Sequence, residues 1–222
     1  MNSTLAQLQN IVAGELGNIK GRDFDSLMRR VYGIFDALID SVKRREGVHV
    51  DCKNGCSFCC ELKVDVSPLE VLYLARMVEC MKSSDGERVR NAAKARHEHI
   101  QGKTHPQLLT ENYPCPLLHA GSCSAYEGRP FFCRSFHAQT VETCRYSHAN
   151  PHDLDADDSQ NPDVREAGDA ARHLFHSVVA KSGLDTRTYD LGAALHEALT
   201  SRAANRFRDG KTAFSRLSLI PD

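Results

Sequence analysis

Cys52-Lys53-Asn54-Gly55-Cys56-Ser57-Phe58-Cys59-Cys60 places four thiols within nine residues. The C-x3-C-x2-C spacing lets one loop turn its thiolates inward onto a metal or a cluster face. Gly55 supplies the permissive backbone that such a bend needs. Thiolates are soft ligands, which selects zinc, copper(I) or iron–sulfur over magnesium or calcium. Adjacent side chains diverge, so the vicinal pair Cys59-Cys60 either serves two centres or leaves one thiol as a spectator. The stretch sets the expectation for the whole fold: its middle is ordered by ligation rather than by regular hydrogen-bond ladders.

A second set follows as Cys115-x7-Cys123-x9-Cys133-x10-Cys144, in a Pro-punctuated and helix-poor setting that suits a fold nucleated by a metal. The metal ligands expected from the two sets are Cys52, Cys56, Cys59, Cys60, Cys115, Cys123, Cys133 and Cys144. Eight thiolates match two four-thiolate zinc sites, or one iron–sulfur cubane with a zinc site beside it. Spacing alone does not choose between zinc and iron. Four bound thiolates leave about −2 on either kind of centre. Arg129, Arg134, Arg145, Lys53 and Lys63 are near enough in sequence to offset that charge. His137 and His148 fall among the second set and are secondary ligand candidates. Cys80, alone near a helix end, is expected as a small buried hydrophobe.

Composition bounds the alternatives. The chain has 222 residues, nine Cys, eleven His and no Trp, with 41% hydrophobic and 26% charged residues. Nine thiols cannot all pair within one chain, and the start lacks the basic and apolar regions of a secretory signal. The expected compartment is therefore the cytoplasm, where clustered thiols act as metal ligands rather than disulfides. Lys+Arg at 28 against Asp+Glu at 29 gives a net charge of −1. That balance predicts neither nucleic-acid nor membrane binding, and no apolar run reaches the roughly 18 residues of a membrane span. A protein partner stays open, as does the oligomeric state.

Outside the cysteine-rich middle the patterning is helical. Leu5, Leu8, Val12, Leu16 and Ile19 follow a Ser3/Thr4 cap. Phe24, Leu27, Met28, Val31, Phe35, Leu38, Ile39 and Val42 form a stronger stripe, with Asp23 at the cap position and Gly47 at the end. Ser67-Pro68-Leu69-Glu70 is a capping box with Pro at the first helical position, and it opens a helix to about Met81. Further helices are expected over Gly86 to Ile100, Val164 to Val179 with Gly183 ending it, and Leu191 to Leu199. His173 and His176 share a face at i, i+3, yet no acidic partner completes a zincin-type motif. From Gly102 to Pro162 no period is visible, and the acidic run Asp153 to Asn161 reads as a solvated loop. Strand-like alternation is scarce. The expected fold is mainly α: one domain over 1–222, with N-terminal helices at 1–48, a metal-organised core at 50–145 and C-terminal helices at 162–222.

Two blocks of residues carry a family resemblance. One is the cysteine loop followed by Val64-Asp65-Val66-Ser67-Pro68-Leu69-Glu70. The other is Cys115-Pro116-Leu117-Leu118 with Gly121-Ser122-Cys123-Ser124-Ala125-Tyr126-Glu127-Gly128-Arg129-Pro130-Phe131-Phe132-Cys133-Arg134-Ser135-Phe136. Together they resemble the YkgJ-like cysteine-cluster proteins, with their zinc- or iron-chelating CxxxCxxCC domain. The resemblance implies metal or iron–sulfur binding by Cys52, Cys56, Cys59, Cys60, Cys115, Cys123 and Cys133. Cys144 lies past the recognisable block and rests on spacing alone. Ser135-Phe136-His137 departs from the Phe-Pro pair of many relatives.

The leading functional expectation is a metal-binding protein with zinc or iron on thiolates, with iron–sulfur as one form, and with no catalytic residue assigned. The alternative is an iron–sulfur enzyme in redox or protein-modification chemistry, since a related branch, the flagellin lysine methylases, uses a similar cluster. An S-adenosylmethionine radical barrel is disfavoured, because the alternating strands and helices it needs are missing. A zinc-stabilised interaction module and a Cys59-Cys60 redox dithiol complete the alternatives.

Overall fold

The computed structural model describes residues 2–17, 24–53 and 55–215. Among them are ten α-helices and four two-residue strands, so the protein is mainly α. In chain order these are α1 (Asn2–Leu16), α2 (Phe24–Glu46), β1 (Asp65–Val66), α3 (Pro68–Glu79), α4 (Ser83–His99), α5 (His105–Leu109), β2 (Leu118–His119) and β3 (Ser122–Cys123). There follow α6 (Phe131–Ser135), α7 (Val141–Ala149), α8 (Pro162–Lys181), β4 (Tyr189–Asp190), α9 (Leu191–Thr200) and α10 (Ala203–Arg208). No helix of the described residues is long and apolar enough to cross a membrane.

The apolar stripe of α2 is the spine. Phe24, Leu27, Met28, Val31, Phe35, Leu38, Ile39 and Val42 are all buried, at roughly 1.5–3 kcal/mol for each large side chain taken from water. Helix α2 packs against α1, α3 and α8, while α9 packs against α3 and α4. Strands β1 and β4 pair antiparallel, with Asp65 opposite Asp190 and Val66 opposite Tyr189. Buried Arg96 of α4 closes this side, its Nη2 donating to Asp190 Oδ2 at 2.7 Å. The other oxygen of Asp190 caps α9 by accepting from the Ala193 N–H at 3.0 Å.

The capping box of α3 forms as its sequence predicts, and it does more. Glu70 is 2% exposed. Its Oε2 accepts from the backbone N–H and the hydroxyl of Ser67, both at 2.8 Å. Its Oε1 accepts from the Phe131 N–H at 2.8 Å, which holds the first turn of α6. The Phe131 ring then enters the core, with centroids 5.2, 4.9 and 5.0 Å from those of Tyr32, Phe35 and Phe175.

Several expectations need adjusting. Helix α1 already includes Ser3 and Thr4 rather than starting after them. Ile19 and the Asp23 cap lie outside the described residues. The stretch after Gly102 is not wholly irregular: α5, α6 and α7 occur in it, each too short for apolar periodicity to register. Helix α10 had no anticipated counterpart. Cys80 is exposed at the C-terminal end of α3 rather than buried, because the helix stops there and turns the residue outward. Gly47 and Gly183 do end their helices, at φ of 61° and 71°.

His173 and His176 do not act as a pair, since His173 is exposed and His176 is half-buried. Burial, helped by the charge of Arg172, pushes the His176 ring down to about 4. The unfolded chain therefore takes up this proton first as pH falls below about 6.5. The stability contribution is complete above that value and is lost as pH drops toward 4. His176→Leu should flatten this part of a stability-against-pH curve, and coincident curves would show that the folded ring ionises normally. Glu70→Ala should lower the denaturation midpoint by the equivalent of about 1–3 kcal/mol for the buried donors it strands. A shift under about 0.5 kcal/mol, as at an ordinary surface site, would refute the bridging role.

Candidate metal centre

The first cysteine block is held at its leading end by Asp51. The Asp51 N–H donates to Ala138 O at 3.2 Å, and Asp51 Oδ2 accepts from the Val141 N–H at 3.0 Å. Asp51 thus caps α7, the helix that carries Cys144. Nothing in the sequence marks Asp51 for this task. Past Gly55, at φ 92°, a 3-10 turn over Phe58–Glu61 presents Cys59 and Cys60.

The second block is stitched directly to the first. The Cys115 N–H donates to Cys60 O, and the Tyr113 N–H to Glu61 O, both at 2.8 Å. Chain then folds back through the β2–β3 hairpin, which sets Leu118 opposite Cys123. At the hairpin tip Gly121 has φ 77°, and a Cβ on it would lie 3.4 Å from Gly55 O. The two thiol-bearing loops therefore touch backbone to backbone. Helix α6, fixed by Glu70 and Phe131, contributes Cys133.

Seven thiols line one cavity of about 300 Å³: Cys52, Cys56, Cys59, Cys60, Cys115, Cys123 and Cys133. Cys144 does not line it. Its thiol, pushed up to about 11 by burial, feels Cys52, Cys56 and Cys59 as electrostatic neighbours. All nine cysteines are free thiols. Among the described residues, no group of three or more His, Cys, Asp or Glu side chains stands close enough together to hold a metal ion. The thiols thus share a space without converging on a point. The donor set still fits a soft metal: sulfur dominates the lining, and no carboxylate is part of it among the described residues.

Burial works against the charged form of several of these thiols. Burial raises Cys52, Cys123 and Cys133, and it pushes Cys115 up to about 12. Cys59 is raised by its contact with the Cys60 thiol and then by burial. A redox dithiol needs the opposite, a depressed value. Metal entering this site must displace protons.

The five candidate cations separate by task. Buried Arg134 is a clamp, donating Nε to Arg129 O at 2.6 Å, Nη1 to Asp36 Oδ2 at 2.5 Å and Nη2 to Glu127 O. Its guanidinium also lies 4.0 Å from the centre of the Tyr32 ring. Lys63 pairs with Asp65, and exposed Arg145 with Glu142 at 3.3 Å. Lys53 and Arg129 do line the cavity, as does Lys43, which sequence reasoning missed because it sits at the end of α2. His137 also lines the cavity, and burial together with Lys43 lowers its ionisation. His148 stands apart from the cavity lining: its Nε2 is 2.9 Å from Glu61 Oε2, and its ring meets Phe58 edge to face.

No curated protein and no solved structure matches the chain significantly. A family model does match: CxxCxxCC, described as a "putative zinc- or iron-chelating domain", over residues 51–158. That span holds both cysteine blocks, the Glu70 bridge, the hairpin, α6 and α7. Residues 51–158 of the chain thus match the CxxCxxCC domain of this cysteine-cluster family.

Proposed function

We propose that this is a metal-binding protein that holds zinc or iron on the thiolates of Cys52, Cys56, Cys59, Cys60, Cys115, Cys123, Cys133 and Cys144, with a centre of more than one metal atom. The observation that supports this reading is the single cavity lined by seven thiols. A lone tetrahedral zinc, at about 2.3 Å from each sulfur, uses four thiolates and leaves no open space at its core. A cavity of about 300 Å³ suits an iron–sulfur cluster or a pair of ions better. When bound, such a centre supplies Lewis-acid or electron-transfer chemistry. The chain's own residues supply the soft donors, the cationic wall and the buried backbone frame.

Access to the cavity favours a second reading, an iron–sulfur enzyme of redox or protein-modifying type. Lys53 and Tyr126 line the cavity and are exposed, so solvent or substrate reaches it from that side.

Metal and acid-labile sulfide analysis of anaerobically purified protein tests the proposal. Iron with matching sulfide, or zinc near two per chain, is the expected result. Protein that carries neither, and takes up neither on reconstitution, overturns it. Bound metal is also folding free energy, on the order of 10 kcal/mol for a structural zinc, so a strong chelator should lower the melting temperature sharply. Cys133→Ser should reduce metal content, whereas exposed Cys80→Ser should leave it unchanged.

A further inference from the structure

Among the described residues, Arg129 is the half-buried cavity cation without a counter-charge. Lys43 has Asp40 at 2.9 Å, and Lys53 is exposed. Among the described residues Arg129 has no carboxylate within ion-pairing distance, and none lines the cavity beside it. Its guanidinium rests on the Tyr126 ring, 3.7 Å from the centroid. Its carbonyl is held by Arg134, and Pro130 fixes the chain after it. Its Nε is shut off from solvent and has no hydrogen-bond partner. A buried N–H left in this state keeps its desolvation cost uncompensated, and such a group calls for an acceptor that the free protein does not supply.

The surrounding acceptors are sulfur. Cys59, Cys123 and Cys133 line the same cavity as Arg129 and stand within electrostatic reach of its guanidinium. Cys59 belongs to the first block and the other two to the second. A neutral thiol is a weak acceptor, whereas a metal-bound thiolate is a charged one.

We propose that Arg129 is the charge partner of the metal-bound thiolates, donating its Nε–H to a sulfur of the Cys59, Cys123 and Cys133 group and so binding the two cysteine blocks to one centre. The assignment rests on the metal-binding reading above. It makes Arg129 a positioning residue that acts through the ligands.

The test is an anaerobic cobalt(II) titration of the full chain against a competing chelator, read by thiolate charge-transfer absorption, together with the melting temperature of the metal-free protein. Arg129→Gln should weaken cobalt affinity about 10–100-fold, the usual cost of losing a group that supports a ligand. The metal-free melt should not fall. Arg129→Lys should recover part of the loss by restoring charge without the planar fork, and Arg145→Gln should match wild type. Wild-type protein without cobalt–thiolate absorption removes the metal-binding reading and this inference with it. A wild type that binds, beside an Arg129→Gln variant within about twofold, removes the Arg129 assignment alone. Equal losses in the Gln and Lys variants with a lowered metal-free melt also overturn it, since Arg129 would then be a packing residue.

Discussion

One buried carboxylate joins the two halves of this protein's chemistry. Glu70 begins as the return partner of a capping box, a local device that any helix start can use. Here its second oxygen reaches a backbone N–H that is remote in sequence, at the first turn of α6. A carboxylate in so dry a place is costly, and burial does raise its ionisation above the ordinary value. The site survives because three donors meet it at hydrogen-bond distance. Phe131 completes the link by driving its ring into the aromatic core between α2 and α8. The short helix bearing Cys133 is therefore fixed by the helical core, independently of any metal.

From this anchor the rest of the site follows by proximity. Arg134, one residue past Cys133, pulls the loop over Glu127 and Arg129 against α2. The backbone bonds from Tyr113 and Cys115 bring the 3-10 turn of the first block alongside. The result is a preformed frame in which seven thiols line one cavity. Its backbone is joined by hydrogen bonds, while among the described residues the thiols themselves are not gathered to a point. On the proposed metal-binding reading, ligation draws in side chains more than backbone, which keeps the ordering cost of metal uptake low.

The sequence made some of this plain and hid the rest for physical reasons. The α2 stripe was legible because burial at a helical period is a local pattern. So was the capping box, which is written in four consecutive residues. The second task of Glu70 was hidden, since a single acid cannot announce a partner sixty positions away in the chain. Cys80 looked like a core residue by its residue type, and only the end of α3 decided its exposure. The same cause sorts the cations: Arg129 and Arg134 look alike in sequence and tertiary contacts alone separate them, whereas Arg145 pairs locally with Glu142 at i, i+3. Short helices such as α6 and α7 escaped because two turns cannot display a period, and packing rather than propensity holds them.

The bond between Cys115 N–H and Cys60 O has a kinetic meaning. It joins parts of the chain separated by α3, α4 and α5, so it closes only after a long loop has lost its freedom. During synthesis the first four thiols emerge well before their counterparts. Until the hairpin and α6 arrive, nothing covers them, and they are open to oxidation or to capture of the wrong metal. On the proposed reading, the order of the motifs along the chain makes timing part of how such a centre is assembled.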